Sequence, residues 1–373
     1  WQNGGKNRMM NNNTIELRKT AILALANTRG IGYYTIRKLY ATQRELENIF
    51  DYTASELENL FRKAEAKYAE RLAIDFYHNK TKSIEKVHAE GTEIFKKRNL
   101  HFLLDSEPQF PNSLKIIPNN PFWLFVEGNP DLLNSPNQCA VIGTRHPTNK
   151  GTMITEKLTQ QLVKNGYIIV SGLAEGIDET AHRITNQSNG KGIAVLGNGI
   201  NIAFPAKTLH IRKKLVANGG AVISEYLLND FYSKERFVLR DRLQSGLSDV
   251  IFPIQGSMKS GTFHTVRYAE LQNKRIIGVH SGPIEDTEQN ELIMYLKRMH
   301  YPLYDIERGS DILFNELMKV APSINVQHEF SFQQPELTND SKDNSDAMLA
   351  ERGDANAIQK LYKFIIRKLK HEH

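Results

Sequence analysis

Val141-Ile142-Gly143-Thr144-Arg145 and, further on, Ser171-Gly172-Leu173-Ala174-Glu175-Gly176-Ile177-Asp178-Glu179-Thr180-Ala181-His182 decide the fold of this chain. Each follows an apolar, β-rich run, Cys139–Ile142 and Tyr167–Val170, that stops at a small residue and hands over to a helix-like segment. In an open parallel sheet, ligands bind outside the carboxyl ends of the strands, where successive loops converge. Two strands that end this way would ring one crevice with small residues, backbone N–H groups and the fixed charge of Arg145. Such a crevice suits phosphate.

The alternation continues through Gly192–Leu196, Ala221–Ser224, Asp249–Ile254 and Arg275–Val279, with helical segments from Gly151, through Asp178–Thr185, through Thr208–Ala217 and from Thr262. It predicts an α/β fold built on a doubly wound parallel sheet. Upstream, Thr14–Lys97 reads as helical throughout: Ile15, Leu17, Ala21, Ile22 and Leu25 form an apolar stripe, and Thr53 with Glu56 forms a capping box. Asn99–Asn137 is a Pro/Asn-punctuated connector with short strands at Leu100–Leu104 and Trp123–Val126. Beyond Pro322 the chain turns polar through Asn325–Asp354 and ends in Ala355–Lys370, whose Ile358, Leu361, Ile365 and Leu369 share one helical face. The expected organisation is an N-terminal helical domain at 10–95, a sheet core at 96–322, and a polar linker with a C-terminal basic helix at 323–373. Trp1–Met9 reads as a cloning remnant ahead of a natural start near Met9 or Met10.

The composition, 40% hydrophobic and 24% charged over 373 residues, is that of a globular protein with room for two or three domains. No apolar run reaches a membrane span and no charged-apolar leader opens the chain, so no membrane association is expected. The single cysteine, Cys139, leaves no internal disulfide framework or Cys-based metal site; inside an apolar strand it reads as a buried spectator thiol, and a cytoplasmic home follows. A net charge of +6 and a pI near 9.1 favour an anionic partner.

The loop chemistry narrows that partner. Gly143-Thr144-Arg145 lacks the dinucleotide glycine spacing, no acid ends the second strand, and a Walker loop is absent, so neither NAD nor ATP nor any other cofactor is expected. What remains is a small-residue turn with Arg145, then Lys150 entering a helix. Gly256-Ser257-Met258-Lys259-Ser260-Gly261-Thr262 places amides, hydroxyls and a lysine at a helix N-terminus, a generic anion site. Arg236, Arg240 and Arg242, and Phe204-Pro205-Ala206-Lys207, supply further basic elements, all expected in loops after strands. Several phosphate contacts along one groove suit a polymer better than a mononucleotide. Asp178 and His182, one helical turn apart, read as a structural pair in preference to a metal or acid–base site, and Glu225 is ambiguous. No catalytic triad, carboxylate pair or metal spacing stands out, so no enzyme and no metal are expected. Between the first two helices, Thr28-Arg29-Gly30-Ile31-Gly32 followed by Arg37 and Lys38 resembles a helix-hairpin-helix turn that grips a nucleic-acid backbone through Gly30, Gly32, Arg37 and Lys38. A plain helical turn capped by Gly30 explains the same residues.

Taken in series, these motifs resemble the DNA-processing protein A family (DprA, also called Smf). The matches are Phe110-Pro111 with Pro121, Gly128-Asn129, 141–145, 171–182, Val-Leu-Gly-Asn-Gly at 195–199, Phe204-Pro205, Ile-Ser-Glu-Tyr at 223–226, 240–249 and Lys-Ser-Gly-Thr at 259–262. Order and spacing hold from about residue 95 to 282. The resemblance implies an extended Rossmann-like core, preceded by a helix-hairpin-helix (SAM-like) domain, that binds single-stranded DNA as a homodimer, protects it and helps load a RecA-type recombinase in recombination or transformation. Carried over by position, Arg145 and Lys207 would hold the strand, with Arg240, Arg242, Ser257, Lys259, Ser260 and Thr262 completing the groove; Gly143, Thr144, Lys150, Ser171, Gly172 and Gly261 belong to the same loops. The family's usual Arg-Asn-Arg is Arg240-Asp241-Arg242 here, its Pro-Gly after the last core strand is His280-Ser281-Gly282, and no winged helix follows. Two alternatives stand beside this reading. One is a regulator or antitoxin with a cognate toxin in a phage-defence or toxin–antitoxin module. The other is a nucleotide-processing enzyme similar to the phosphoribohydrolases that share the core, which Thr265 opposes by standing where those enzymes carry a glutamate.

Overall fold

The structure, a computed structural model, describes residues 12–319; the expected polar linker and C-terminal basic helix lie outside the described residues. The chain opens with α1 (Asn12–Ala26), α2 (Tyr33–Thr42), α3 (Ala54–Lys63) and the long α4 (Ala69–Lys97). The capping box before α3 is present: Glu56 N–H donates to the Thr53 hydroxyl at 3.3 Å, and Thr53 N–H donates to the Glu56 carboxylate at 2.8 Å. Then follow β1 (Leu100–Leu104), α5 (Asn112–Lys115), β2 (Trp123–Gly128), β3 (Gln138–Ile142), α6 (Asn149–Lys164), β4 (Ile168–Ser171), α7 (Ile177–Gln187), β5 (Gly192–Val195), α8 (Leu209–Ala217) and β6 (Ala221–Ser224). The chain continues with α9 (Lys234–Leu247), β7 (Val250–Pro253), α10 (Gly261–Leu271), β8 (Arg275–Ile276), β9 (Gly278–His280), α11 (Glu291–Arg298), β10 (Leu303–Asp305) and α12 (Asp311–Lys319).

The main sheet has eight strands in the order β1-β2-β6-β5-β4-β3-β7-β8. Pairs from β6 to β8 are parallel, whereas β1 and β2 join antiparallel at one edge, so the connector at 99–137 extends the sheet. The expected strand Arg275–Val279 divides: Arg275–Ile276 pairs with β7, and after Ile277 the chain leaves to pair with β10 in a two-stranded sheet. Strand side chains alternate between faces. Cys139 and Val141 pack with Leu158, Ile177 and Phe252, while Ala140 and Ile142 pack with Leu243, Ile251 and Val266. Helices therefore cover both faces, as expected for a doubly wound sheet. Cys139 is fully buried, and burial pushes its thiol well above the ordinary range.

The helical region is joined to the sheet by one apolar cluster that runs from Ile22, Ile36 and Phe61 to Trp123, Phe125 and Val222. A buried charged network fixes the joint. Arg242 donates two hydrogen bonds of 2.6 Å to the Glu225 carboxylate, and Tyr33 on α2 donates to the same carboxylate at 2.7 Å. Arg242 also donates to the carbonyls of Asn119 and Leu239. Burial alone would raise the Glu225 carboxyl; the facing Arg242 guanidinium and Tyr33 hydroxyl hold it below its ordinary value. Arg37 donates to the Asn119 side chain and the Asn120 carbonyl, both at 2.7 Å, and lies over Phe122.

Removing one member of a buried ion pair strands its partner's charge, at a cost of about 3–5 kcal/mol. Urea unfolding of Arg242→Ala should show a loss of that size, and Tyr33→Phe a loss of about 1 kcal/mol. An Arg242→Ala loss below about 1 kcal/mol would show that the network is not what docks the helices.

Candidate nucleic-acid interface

Strand order places a topological switch between β3 and β7. From β3 the chain winds outward through β4, β5 and β6; from β7 it winds the other way to β8. The loops after two such strands diverge and leave a crevice at their carboxyl ends. Here those loops are Gly143–Thr148 and Ile254–Ser260, and they are stitched together. Thr144 N–H donates to the Gln255 carbonyl at 2.8 Å. The Gln255 side chain accepts from Thr148 N–H and donates to the Thr148 hydroxyl, each at 3.0 Å. That hydroxyl also caps α6 by accepting from Gly151 N–H at 3.1 Å. A Cβ on Gly151 would lie 2.1 Å from the Gln255 amide oxygen and would displace that side chain from Thr148. Gly176, with φ of 90°, sits under the carbonyls of Thr144 and Arg145 and opens α7.

Around this crevice the structure brings together Arg145, Lys150 and Lys259, which are exposed and join none of the ion pairs among the described residues. Lys207 is also exposed and pairs with Glu175 at 2.9 Å. Arg145 lies 5.3 Å over the ring of Phe237. Phe237 packs its ring against Gly197 and lies 5.9 Å from Phe204 and 6.1 Å from Tyr232; the last two stack at 3.6 Å with an interplanar angle of 19°. All three rings are half-buried. They form an aromatic shelf beside the free guanidinium of Arg145, with exposed Lys234 one turn before Phe237. Phe204 belongs to a motif legible in the sequence, whereas Tyr232, Lys234, Phe237 and Gln255 join the site only in the fold. An aromatic pair interleaved with basic residues just ahead of Arg240 was the available signal.

Other expected contacts are turned inward. Arg236, Arg240 and Arg242 stand on α9, not in a loop, because Ser233 caps that helix by accepting from Arg236 N–H at 3.2 Å. Arg242 is 1% exposed and engaged by Glu225, so it is a structural residue and not a groove contact. Arg240 is 4% exposed; its guanidinium lies on the backbone of Gly172, donates to the Val195 carbonyl at 2.7 Å and faces Asp241 at 3.3 Å. Its charge is met in the interior by Asp241 and Asp178. The Ser171 hydroxyl donates to the Val141 carbonyl at 2.7 Å and Gly172 N–H to Asp178 at 3.1 Å, so both are spent within the fold. Ser260 caps the Ser257–Ser260 turn through its own hydroxyl at 2.6 Å, and Thr262 is buried, which leaves Ser257, Lys259 and the Gly261 backbone on the open side.

Asp178 and His182 do not act as a pair toward a ligand. Asp178 caps Gly172, and burial lowers the His182 imidazole to about 4, which keeps it neutral. Thr265 is buried, with its hydroxyl 3.5 Å from the Gly261 carbonyl. In the helical hairpin, Gly30 takes φ of 91° and Gly32 caps α2, both exposed, but Arg37 is buried against Asn119, Asn120 and Phe122, and Lys38 pairs with Glu65. The hairpin's expected cations are therefore engaged elsewhere; Gly30 does not cap α1, which ends at Ala26, but lies in the following turn, where Ile31 N–H donates to the Thr28 carbonyl at 3.1 Å. No cluster of three or more potential metal ligands and no helix long and apolar enough to cross a membrane occurs among the described residues.

The family model for DNA recombination-mediator protein A matches residues 101–301, more than half of the chain. Protein Smf of Synechocystis is 32% identical over 227 residues, covering 60% of this chain and 54% of that protein, so the chain spans about half the length of that relative. The structure of DNA processing protein A from Streptococcus pneumoniae superposes with a TM-score of 0.58 at 23% identity, over 79% of this chain and 95% of that one, a likeness of fold. DNA processing protein A from Helicobacter pylori, described for its single-stranded DNA binding mode, superposes with a TM-score of 0.52 at 27% identity, over 58% of this chain and 96% of that one. With the fold, the crevice and these likenesses in agreement, the chain belongs to the DNA recombination-mediator protein A family, the DprA/Smf proteins.

Proposed function

We propose that this protein binds single-stranded DNA in the crevice at the β3/β7 switch, as a binding protein and not an enzyme. It would shield the strand and present it to a RecA-type recombinase in recombination or transformation. The observation that carries this reading is the pairing of unpaired cations with the aromatic shelf: Arg145 lies directly over Phe237, beside stacked Phe204 and Tyr232. Phosphates held by Arg145, Lys150, Lys259 and the Gly261 end of α10 would leave adjacent bases free to stack on the shelf. Duplex DNA keeps its bases in its own stack and gains nothing from the shelf. A strand binder of this family would work in the cytoplasm, where its substrate arises, and as a pair of chains. The absence of an acid at Thr265 disfavours a phosphoribohydrolase. A regulator or antitoxin role would use the same crevice, with a cognate toxin as a further partner.

Fluorescence anisotropy with labelled oligo-dT and a matched duplex across a salt series tests the proposal. Single-strand preference with a steep salt dependence is expected; equal or absent binding to both would overturn it. Arg145→Ala and Lys259→Ala should each weaken binding and reduce the slope of log affinity against log salt by roughly 0.7. Phe237→Leu, which keeps an apolar side chain against Gly197, should weaken binding by about 1–3 kcal/mol with the salt slope unchanged. A salt-slope change in Phe237→Leu equal to that of Arg145→Ala would separate the shelf from base stacking.

A further inference from the structure

One carboxylate stands where the proposed phosphate site would least tolerate it. Asp241 is 5% exposed on α9, with Arg240 3.3 Å from one carboxylate oxygen. Its other oxygen lies 3.8 Å from the point a Cβ would occupy on Gly261, at the first residue of α10. That helix end offers amides and partial positive charge to an anion, and the Asp241 carboxylate lies beside its first residue.

The groups that act on Asp241 are Arg240 on its own helix, Asp178 from α7, Arg145 from the β3–α6 loop and Tyr268 from α10. Two buried carboxylates thus share the Arg240 guanidinium. Like charges in one buried site do not both ionise readily. Asp178 has the better claim to its charge: it sits in the first turn of α7 and accepts from Gly172 N–H at 3.1 Å. Asp241 lies mid-helix, with Arg240 its one close cation. Burial, opposed by Arg240 and reinforced by Asp178, pushes the Asp241 carboxyl up to about 7. Tyr268, raised by burial to about 12, stays protonated throughout the range that matters.

We infer that Asp241 couples strand binding to proton uptake: a phosphodiester settles at the α10 N-terminus when Asp241 is neutral and is repelled when it is charged. The inference rests on the proposed use of this crevice and adds the residue that sets its dependence on pH. A bound phosphate raises the proton affinity of the neighbouring carboxyl, and by linkage protonation raises the affinity for phosphate. Affinity should therefore fall as pH rises through neutrality. The fold follows the same sign: a carboxyl raised above its unfolded value withdraws stability as pH rises through about 7.

The test is oligo-dT binding by the full chain at constant ionic strength from pH 6 to 8.5. If a bound phosphate raises the carboxyl by about one unit, the native protein loses about seven-fold in affinity across the range. Asp241→Asn should bind at pH 8.5 as tightly as the native protein at pH 6, with a flat profile. His146→Gln, which removes an imidazole beside Arg145, should keep the native slope. An Asp241→Asn profile that follows the native one overturns the inference. A second readout needs no DNA: the side-chain 13C carboxyl shift of Asp241 in the native protein, with and without sulfate, whose charge is constant over this range. A midpoint near 7 that moves upward with sulfate supports proton coupling, and a midpoint in the ordinary aspartate range overturns it. Absence of strand binding at every pH with the sulfate response intact would refute the polymer reading and leave a proton-coupled anion site.

Discussion

Divergence of the chain on either side of β3 and β7 is the constraint on which the rest of the site depends. Adjacent strands whose following helices lie on opposite faces cannot close the gap above their carboxyl ends. The two loops are held at a fixed separation by Thr144 N–H on the Gln255 carbonyl and by the Gln255–Thr148 exchange. Glycines at 151 and 176 permit that closeness, one because a side chain there would strike Gln255 and the other because its backbone is left-handed under the Arg145 carbonyl. A rigid pair of loops presents its cations in one geometry, which a flexible surface cluster of lysines does not.

The basic residues divide into two sets by burial. Arg242 and Arg37 serve the fold: one neutralises Glu225 and the other anchors the helical region on Asn119 and Asn120. Arg145, Lys150 and Lys259 remain exposed, whereas Arg240 is buried with Asp241 and Asp178. Net charge alone does not make this distinction. A guanidinium bonded on all sides in the interior neither contacts a strand nor contributes to the release of its counterions.

Most of the architecture was legible in the sequence because apolar runs such as Cys139–Ile142 and Ala221–Ser224 end sharply at glycine or polar residues. The antiparallel addition of β1 and β2 was less so: short strands were visible, but pairing is a tertiary property that local pattern does not encode. Exposed Arg145 and Lys259 were found because a loop after a buried strand has few places to go. Arg240 and Arg242 were misplaced because the serine cap at Ser233 starts a helix through a segment rich in charge, whose burial depends on Glu225 and Asp178 from elsewhere in the chain. Ser171 was misread for a related reason, since its hydroxyl is consumed by a carbonyl on the neighbouring strand. The aromatic shelf assembles from residues 204, 232 and 237, and no spacing rule links them.

The central claim is that a single strand lies across the β3/β7 crevice and not on the helical hairpin. Amide hydrogen exchange of the full chain with and without saturating oligo-dT tests it most directly. The account predicts added protection confined to residues 143–151, 197–207, 232–237 and 256–263, with the turn at 28–32 unchanged. Protection centred on the 28–32 turn, with the crevice loops exchanging as in the free protein, would contradict it.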